Sequence, residues 1–171
     1  DGTRGEKVVE LPVEWEFTTD PGNEGLTGQW YQPGDHSQSW HRVETTRCFE
    51  SQGFQDAALR GYDGYAWYRV TFRVPERFRG RPLTLFVGGL NEQGWFWCNG
   101  RLAGYQPFHA YWIRWQYHHE TDITPLVVFD RENSLVVRVY NEQSFGGIFR
   151  RCFIYSPVGE PEPTEPMKET E

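Results

Sequence analysis

No stretch of this sequence approaches the ~20 consecutive apolar residues that a membrane-spanning helix needs, so membrane insertion is not expected. Clustered Lys and Arg are missing as well. The formal net charge is −7, and binding a phosphate backbone requires concentrated positive charge, which argues against a nucleic-acid ligand. Cysteine is scarce. Cys48, Cys98 and Cys152 cannot all pair with one another and form no C-x-x-C, so neither a dense disulfide framework nor a zinc knuckle is supported. Buried free thiols are the simpler reading. Secreted proteins carry such thiols too, so the compartment stays open, with an extracellular or periplasmic setting slightly favoured. No leader segment and no initiator Met opens the chain; the expectation is a processed protein or an excised domain. Long helical periodicity is also lacking, and the best local helix candidate, "FQDAALR", makes two turns at most. Reaction motifs are missing too. There is no G-x-S-x-G, and Gly88-Gly89 and Gly146-Gly147 lack the Lys and helix that a phosphate loop requires.

What the sequence has is rings. Hydrophobic residues make up only 37%, yet 17% of the chain is aromatic, with 8 Trp. Bulk comes from rings, and some are left over for a surface. The 171 residues suit one domain with a real core. "YAWYRVTFRV" alternates with period 2, placing Ala66, Tyr68, Val70, Phe72 and Val74 on one face and Tyr65, Trp67, Arg69, Thr71 and Arg73 on the other. "PLTLFVGG" reads as a second strand. "WFWCNGRLAGY" reads as a hairpin, because Asn99-Gly100 favours a type I′ turn. "SLVVRVYN" turns Leu135, Val137 and Val139 inward, and "GGIFRRCFIY" is the last strand. Weaker strands lie near "KVVELP", "WEF" and "WHRV". The pattern predicts an all-β, antiparallel β-sandwich of about eight strands. It occupies residues 1–155. Residues 156–171, "SPVGEPEPTEPMKETE", alternate Pro with Glu and read as an extended linker or tail.

In that order and spacing, "YDGYAWYRVTFRVP", "LFVGGLNEQGWFWCNG", "DITPL" and "NSLVVRVYNEQSFGGIFR" resemble the N-terminal sugar-binding domain of glycoside hydrolase family 2, the β-galactosidase and β-glucuronidase group. The resemblance runs from about Val8 to Tyr155. It implies a galactose-binding-like jelly roll and a non-catalytic part, since the family's catalytic glutamates sit on a separate barrel. It also implies a catalytic domain as partner in the full-length protein. One segment departs from the family pattern. Between Gly104 and Asp122 the family has a plainer connection, whereas this chain has "YQPFHAYWIRWQYHHE".

That segment holds six Phe, Tyr or Trp and three His in sixteen residues. A pyranose packs its C–H face on a ring and needs polar partners for its hydroxyls. Tyr105, Tyr111, Trp112, Trp115 and Tyr117 are therefore candidate stacking residues. The alternative is that these rings close the sandwich end or pack on a neighbouring domain. The tripeptide Asn-Glu-Gln occurs twice, at 91–93 and 141–143, each time after a strand. Glu92, Asn141 and Glu142 can meet adjacent sugar hydroxyls if the two turns share one end of the sandwich; ordinary turn chemistry is the competing account. In the family, the corresponding loops face the catalytic barrel. His118 and His119 are strand neighbours pointing to opposite faces, so they do not share one ion. No cofactor is expected; a structural calcium is the one ion sandwiches of this type sometimes hold, and no Asp-rich loop marks it. Glu14 and Glu16 lie roughly 6.5 to 7 Å apart on one strand face, without the opposed placement of a glycosidase pair. No catalytic residue is assigned. The expected function is a non-catalytic carbohydrate-binding module taking a galactoside or polysaccharide. The alternative is a structural or interaction sandwich that packs on a partner or self-associates without sugar.

Overall fold

Period-2 alternation turns one face of each strand inward, and two antiparallel sheets meet through those faces. The structure is a computed structural model that describes residues 4–34, 38–55, 61–108, 116–143 and 145–158. One sheet has six strands: β3 (His41–Glu44), β2 (Glu14–Asp20), β4 (Gly64–Arg73), β10 (Glu132–Asn141), β7 (Gln93–Cys98) and β8 (Arg101–Gln106), in that order. The other has four: β1 (Gly5–Glu10), β12 (Cys152–Pro157), β5 (Thr84–Val87) and β9 (His119–Asp122). A two-stranded ladder of β6 (Leu90–Asn91) and β11 (Gly147–Ile148) stands apart. The expected β-sandwich is present, with more strands than about eight. The surplus lies in short pieces, and the last predicted strand divides into β11 and β12.

The core follows the alternation. Ala66, Tyr68, Phe72 and Val74 of the β4 segment face Leu135, Val137 and Val139 of β10, and Leu85, Val87 and Ile154 close over them from the smaller sheet. Each large side chain so buried is worth about 1.5–3 kcal/mol. The β7–β8 hairpin turns at Asn99 (φ 51°) and Gly100 (φ 76°), with Cys98 opposite Arg101. Both central residues have positive φ, as the type I′ turn demands. Cys98 and Cys152 are buried free thiols, and Cys48 is a half-buried one.

The alternation misplaces Trp67 and Arg138. Both sit on the outward face of the six-stranded sheet, yet both are buried. The chain between β2 and β3 folds back over that face, so Trp67, Trp97 and Val136 form a second small core packed by Trp30, Tyr31, Trp40 and Trp95. The Asp20 carboxylate anchors it. It accepts the Trp67 indole N–H at 2.9 Å and the backbone N–H groups of Glu24 and Gly25 at 2.7 and 3.0 Å. Arg138 lies over the rings of Tyr65 (3.8 Å), Trp95 (4.7 Å) and Trp67 (5.6 Å) and donates to Asn23. Burial pulls its pKa down, while Tyr65 and Asp20 act the other way. Ring faces supply part of the stabilisation that water would give the cation. The helix candidate "FQDAALR" falls mostly on residues 56–60, outside the described residues; a 3-10 turn at Glu50–Gln52 precedes it.

Candidate functional site

The two Asn-Glu-Gln turns meet. Asn91 ends β6 and Asn141 ends β10, and the chain leaves both strands at one edge of the sandwich. The Glu92 N–H donates to the Tyr140 carbonyl at 3.1 Å, and the Glu92 carboxylate accepts the Glu142 N–H at 2.8 Å. Asn91 donates its amide to the Phe145 carbonyl at 2.9 Å, and Asn141 donates to the Tyr62 carbonyl at 3.1 Å. Gln106 of β8 reaches the Leu90 and Glu92 carbonyls at 3.0 and 3.3 Å. A third carboxylate, Glu50, accepts the Gly146 N–H through both oxygens, at 2.9 and 3.1 Å. Gly146 is required here. A Cβ at this position would run into the Phe49 ring and come within 2.7 Å of the Asn141 amide carbon.

Burial dominates the electrostatics of this edge. It raises the Glu50 carboxyl to about 7, against the pull of its backbone N–H partners. It also raises Glu92, and the nearby Glu142 and Asp63 charges add to the rise. Two acceptors, Asn91 Oδ1 and Glu92 Oε1, are buried without a hydrogen-bond partner among the described residues.

The predicted residues divide three ways. Glu92, Asn141 and Glu142 do come together, but Glu92 and Asn141 are fully buried and Glu142 alone of the three is exposed. The two buried side chains hold the turns through their bonds to the Glu142 N–H and the Tyr62 carbonyl. Tyr105 is exposed on β8 and bonded to Gln93 through its hydroxyl. It begins a row of rings that runs through Trp95 (5.3 Å between centroids) and Tyr65 (6.3 Å) to Tyr140 (4.7 Å). Tyr111, Trp112 and Trp115 lie outside the described residues. His118 and His119 do point to opposite faces, one stacked on Phe86 and the other on Phe96. No cluster of three His, Cys, Asp or Glu with metal-ligand potential occurs among the described residues. Glu14 and Glu16 pair with Arg42 and Arg69, at 3.2 and 2.6 Å, as ordinary strand-surface carboxylates do.

Sequence reasoning missed a second feature. A depression of about 650 Å³ opens on the outer face of the four-stranded sheet, lined by Phe86, Phe153, Tyr155, His118, Glu120 and Arg151 among others. The signal was available. Phe86 and Phe153 occupy outward positions between the inward pairs Leu85/Val87 and Cys152/Ile154, where polar residues are usual.

No protein-family model matches the chain. It is 30% identical over 141 residues to a β-glucuronidase of Paenibacillus borealis, an alignment covering 79% of this chain and 21% of that protein. It is 31% identical over 134 residues to the β-galactosidase BoGH2A of Bacteroides ovatus, covering 78% and 14%. The fold matches the crystal structure of Ruminococcus gnavus β-glucuronidase with a TM-score of 0.74 at 19% identity, over 86% of this chain and 28% of that one. The same enzyme in complex with D-glucuronic acid matches equally well in TM-score. The chain thus spans about a fifth or less of the length of the curated relatives it matches. It is a β-sandwich domain related to the glycoside hydrolase family 2 β-glucuronidases and β-galactosidases, of the type that forms their N-terminal domain.

Proposed function

We propose that this chain is a non-catalytic carbohydrate-binding domain, the accessory module of a family 2-like glycoside hydrolase. The observation that carries the reading is the junction of the two Asn-Glu-Gln turns through Glu92 and Glu142. It gathers amides and carboxylates at one edge, with the exposed ring of Tyr105 along the same six-stranded sheet. In this reading Glu142 and Tyr105 touch sugar, while Glu92 and Asn141 fix the turns that carry them. Tyr111, Trp112 and Trp115, which lie outside the described residues, are the further stacking candidates of this reading. A single exposed site of this kind binds on the order of millimolar, about −4 kcal/mol, and gains effective affinity from tethering to a catalytic domain.

The test is a titration of the chain with β-galactosides, β-glucuronides and soluble polysaccharides, read by Trp emission. The expected result is saturable change for at least one glycan and no release of nitrophenol from nitrophenyl glycosides. Emission unmoved by every glycan would overturn the reading.

One observation favours a second reading, a sandwich that packs on a partner without sugar. Phe145 is 62% exposed, and its carbonyl is bonded to Asn91 at this same edge. Self-association on raising the concentration, with no glycan response, would select that reading.

A further inference from the structure

Two consecutive residues grip Gly146 from both sides. Its N–H donates to both oxygens of the Glu50 carboxylate, at 2.9 and 3.1 Å, and its carbonyl accepts the Phe49 N–H at 3.3 Å. The Phe49 ring and the Asn141 amide fill the space where a Cβ would stand. Glu50 opens the 3-10 turn at Glu50–Gln52 and is only 4% exposed. The chain on either side of Gly146 differs. Phe145 is largely exposed, whereas Gly147, at φ 108°, backs onto the Tyr68 hydroxyl. A buried carboxylate thus holds the backbone at the point where an exposed turn re-enters the sandwich.

The surroundings of Glu50 are apolar or acidic. Asp63, just before β4, adds negative charge to its burial, while backbone N–H groups and the Cys48 side chain pull the other way. Tyr68 on β4 interacts with Glu50 and with Cys48 and Cys152. Along the same edge, Glu92 holds the Glu142 N–H and also feels Asp63. Arg47, the basic residue nearest in sequence among the described residues, donates to the Ser51 carbonyl. Among the described residues no Lys or Arg forms an ion pair with Glu50. A carboxyl taken out of water without a cation favours its neutral form, and burial places the titration of Glu50 at about 7.

We propose that Glu50 is a pH-sensitive latch on the turn edge, closed over Gly146 while its carboxyl is neutral and released as the carboxyl ionises. The sign follows from linkage. The closed form binds this proton more tightly than a hydrated carboxyl does, so rising pH favours any local opening that lets water reach Glu50. The neutral acid still accepts the Gly146 N–H through its carbonyl oxygen and buries no charge. The anion keeps that bond but loses its hydration. Glu50–Gln52 is a single short turn outside both sheets, the kind of element that opens locally while the sheets stay paired. Each pH unit between the hydrated and the closed titration multiplies the opening by up to about ten, and the rise levels off above about 7. Phe145 adjoins Gly146, so its ring is held in mild acid and freed above neutrality. The latch itself needs no sugar; its effect on glycan affinity rests on the proposed function.

Amide exchange of the 171-residue chain, followed by NMR from pH 5 to pH 8 without glycan and divided by the intrinsic rate at each pH, tests it. The opening of Gly146 is expected to grow tenfold or more across that range in the wild type. In Glu50→Gln it is expected to change less than about twofold, and in Glu92→Gln to rise as in the wild type. The core amide of Val137 in β10 reports global unfolding; Gly146 is expected to open far more often than Val137 and to be insensitive to low urea. A flat wild-type profile would overturn the latch, whether or not the variants fold. So would a rise that survives in Glu50→Gln, or one that disappears in Glu92→Gln, which would give the titration to Glu92. Exchange of Gly146 that matches Val137 in rate and urea dependence would also overturn it, as global unfolding. None of these outcomes bears on the glycan titration, so the latch and the proposed function fail separately.

Discussion

The Glu92 carboxylate accepts the backbone N–H of Glu142 at 2.8 Å, tying together two turns that are fifty residues apart in sequence. A repeated tripeptide thereby becomes one structural unit. Glu92 is buried while Glu142 is exposed, so the bond lies at the margin between core and solvent.

Removing that acceptor is therefore expected to weaken the fold. Glu92→Ala removes this part-buried bond and the contacts of a buried side chain, at a cost of about 1 kcal/mol or more. Glu92→Gln keeps an acceptor and relieves the desolvated charge, and is expected to be at least as stable as the wild type. Urea unfolding midpoints of the two variants check the difference.

Glu50 gives the domain a pH-dependent stability. Its carboxyl is raised to about 7 in the fold from an ordinary value near 4.5, mainly by burial. The folded protein holds this proton where the unfolded chain has released it, so the contribution is fully present below about 4.5 and is lost as pH rises to about 7. In Glu50→Gln the side chain has no titration. The difference in melting temperature between wild type and Glu50→Gln is expected to shift against the wild type from pH 5 to pH 8, as thermal scans across that range will show.

Gly146 admits no side chain. Gly146→Ala drives a methyl group into the Phe49 ring and the Asn141 amide. Overpacking of this kind costs about 1–3 kcal/mol. Because the same residue donates to Glu50, the variant is also expected to loosen the turn edge, measured as faster amide exchange at residues 145–147 together with a lower urea midpoint.

The second core hangs on Asp20. Asp20→Ala releases the Trp67 indole and two backbone N–H groups at once, for a loss on the order of 3 kcal/mol. Trp30, Tyr31 and Trp40 pack over Trp67 and Trp97 from the covering segment. A red shift in Trp emission is expected at denaturant concentrations where far-UV circular dichroism is still native.

Cys98 and Cys152 are expected to be inert. Burial pushes each thiol up to about 12, and the thiolate is the reactive form. A thiol reagent at pH 8 should modify Cys48 alone in the native protein and all three cysteines in guanidinium chloride. Mass spectrometry of the labelled chain distinguishes the two outcomes.

Much of the fold was legible because its signals are local. Asn99-Gly100 dictates a positive-φ turn wherever it stands between strands, and the inward set of β4 and β10 is read directly from alternation. Trp67 and Arg138 escaped that logic. Their burial comes from a segment placed on them by Asp20, more than forty residues from Trp67, and alternation carries no information about which outward faces are covered. The candidate site was legible in part for the same reason. The repeated Asn-Glu-Gln was visible, and the prediction that Glu92, Asn141 and Glu142 meet follows from strands ending at one edge. That Glu92 and Asn141 are buried depends on contacts with distant residues such as Glu142 and Tyr62, which no local pattern registers. Phe86 and Phe153 were passed over although each stands at an outward position where a polar residue is usual; their opposition across β5 and β12 joins them into one feature.

The sequence by itself determined the class of this molecule: period-2 alternation and glycine-bearing turns are short-range constraints, and they leave antiparallel sheets as the way to bury the inward residues. The tertiary structure alone decided which rings are sealed and which are offered, because that depends on long-range register and on segments folding across a face. Such pairings are fixed by the sum of many weak contacts between distant residues, and no local stretch of sequence carries that sum.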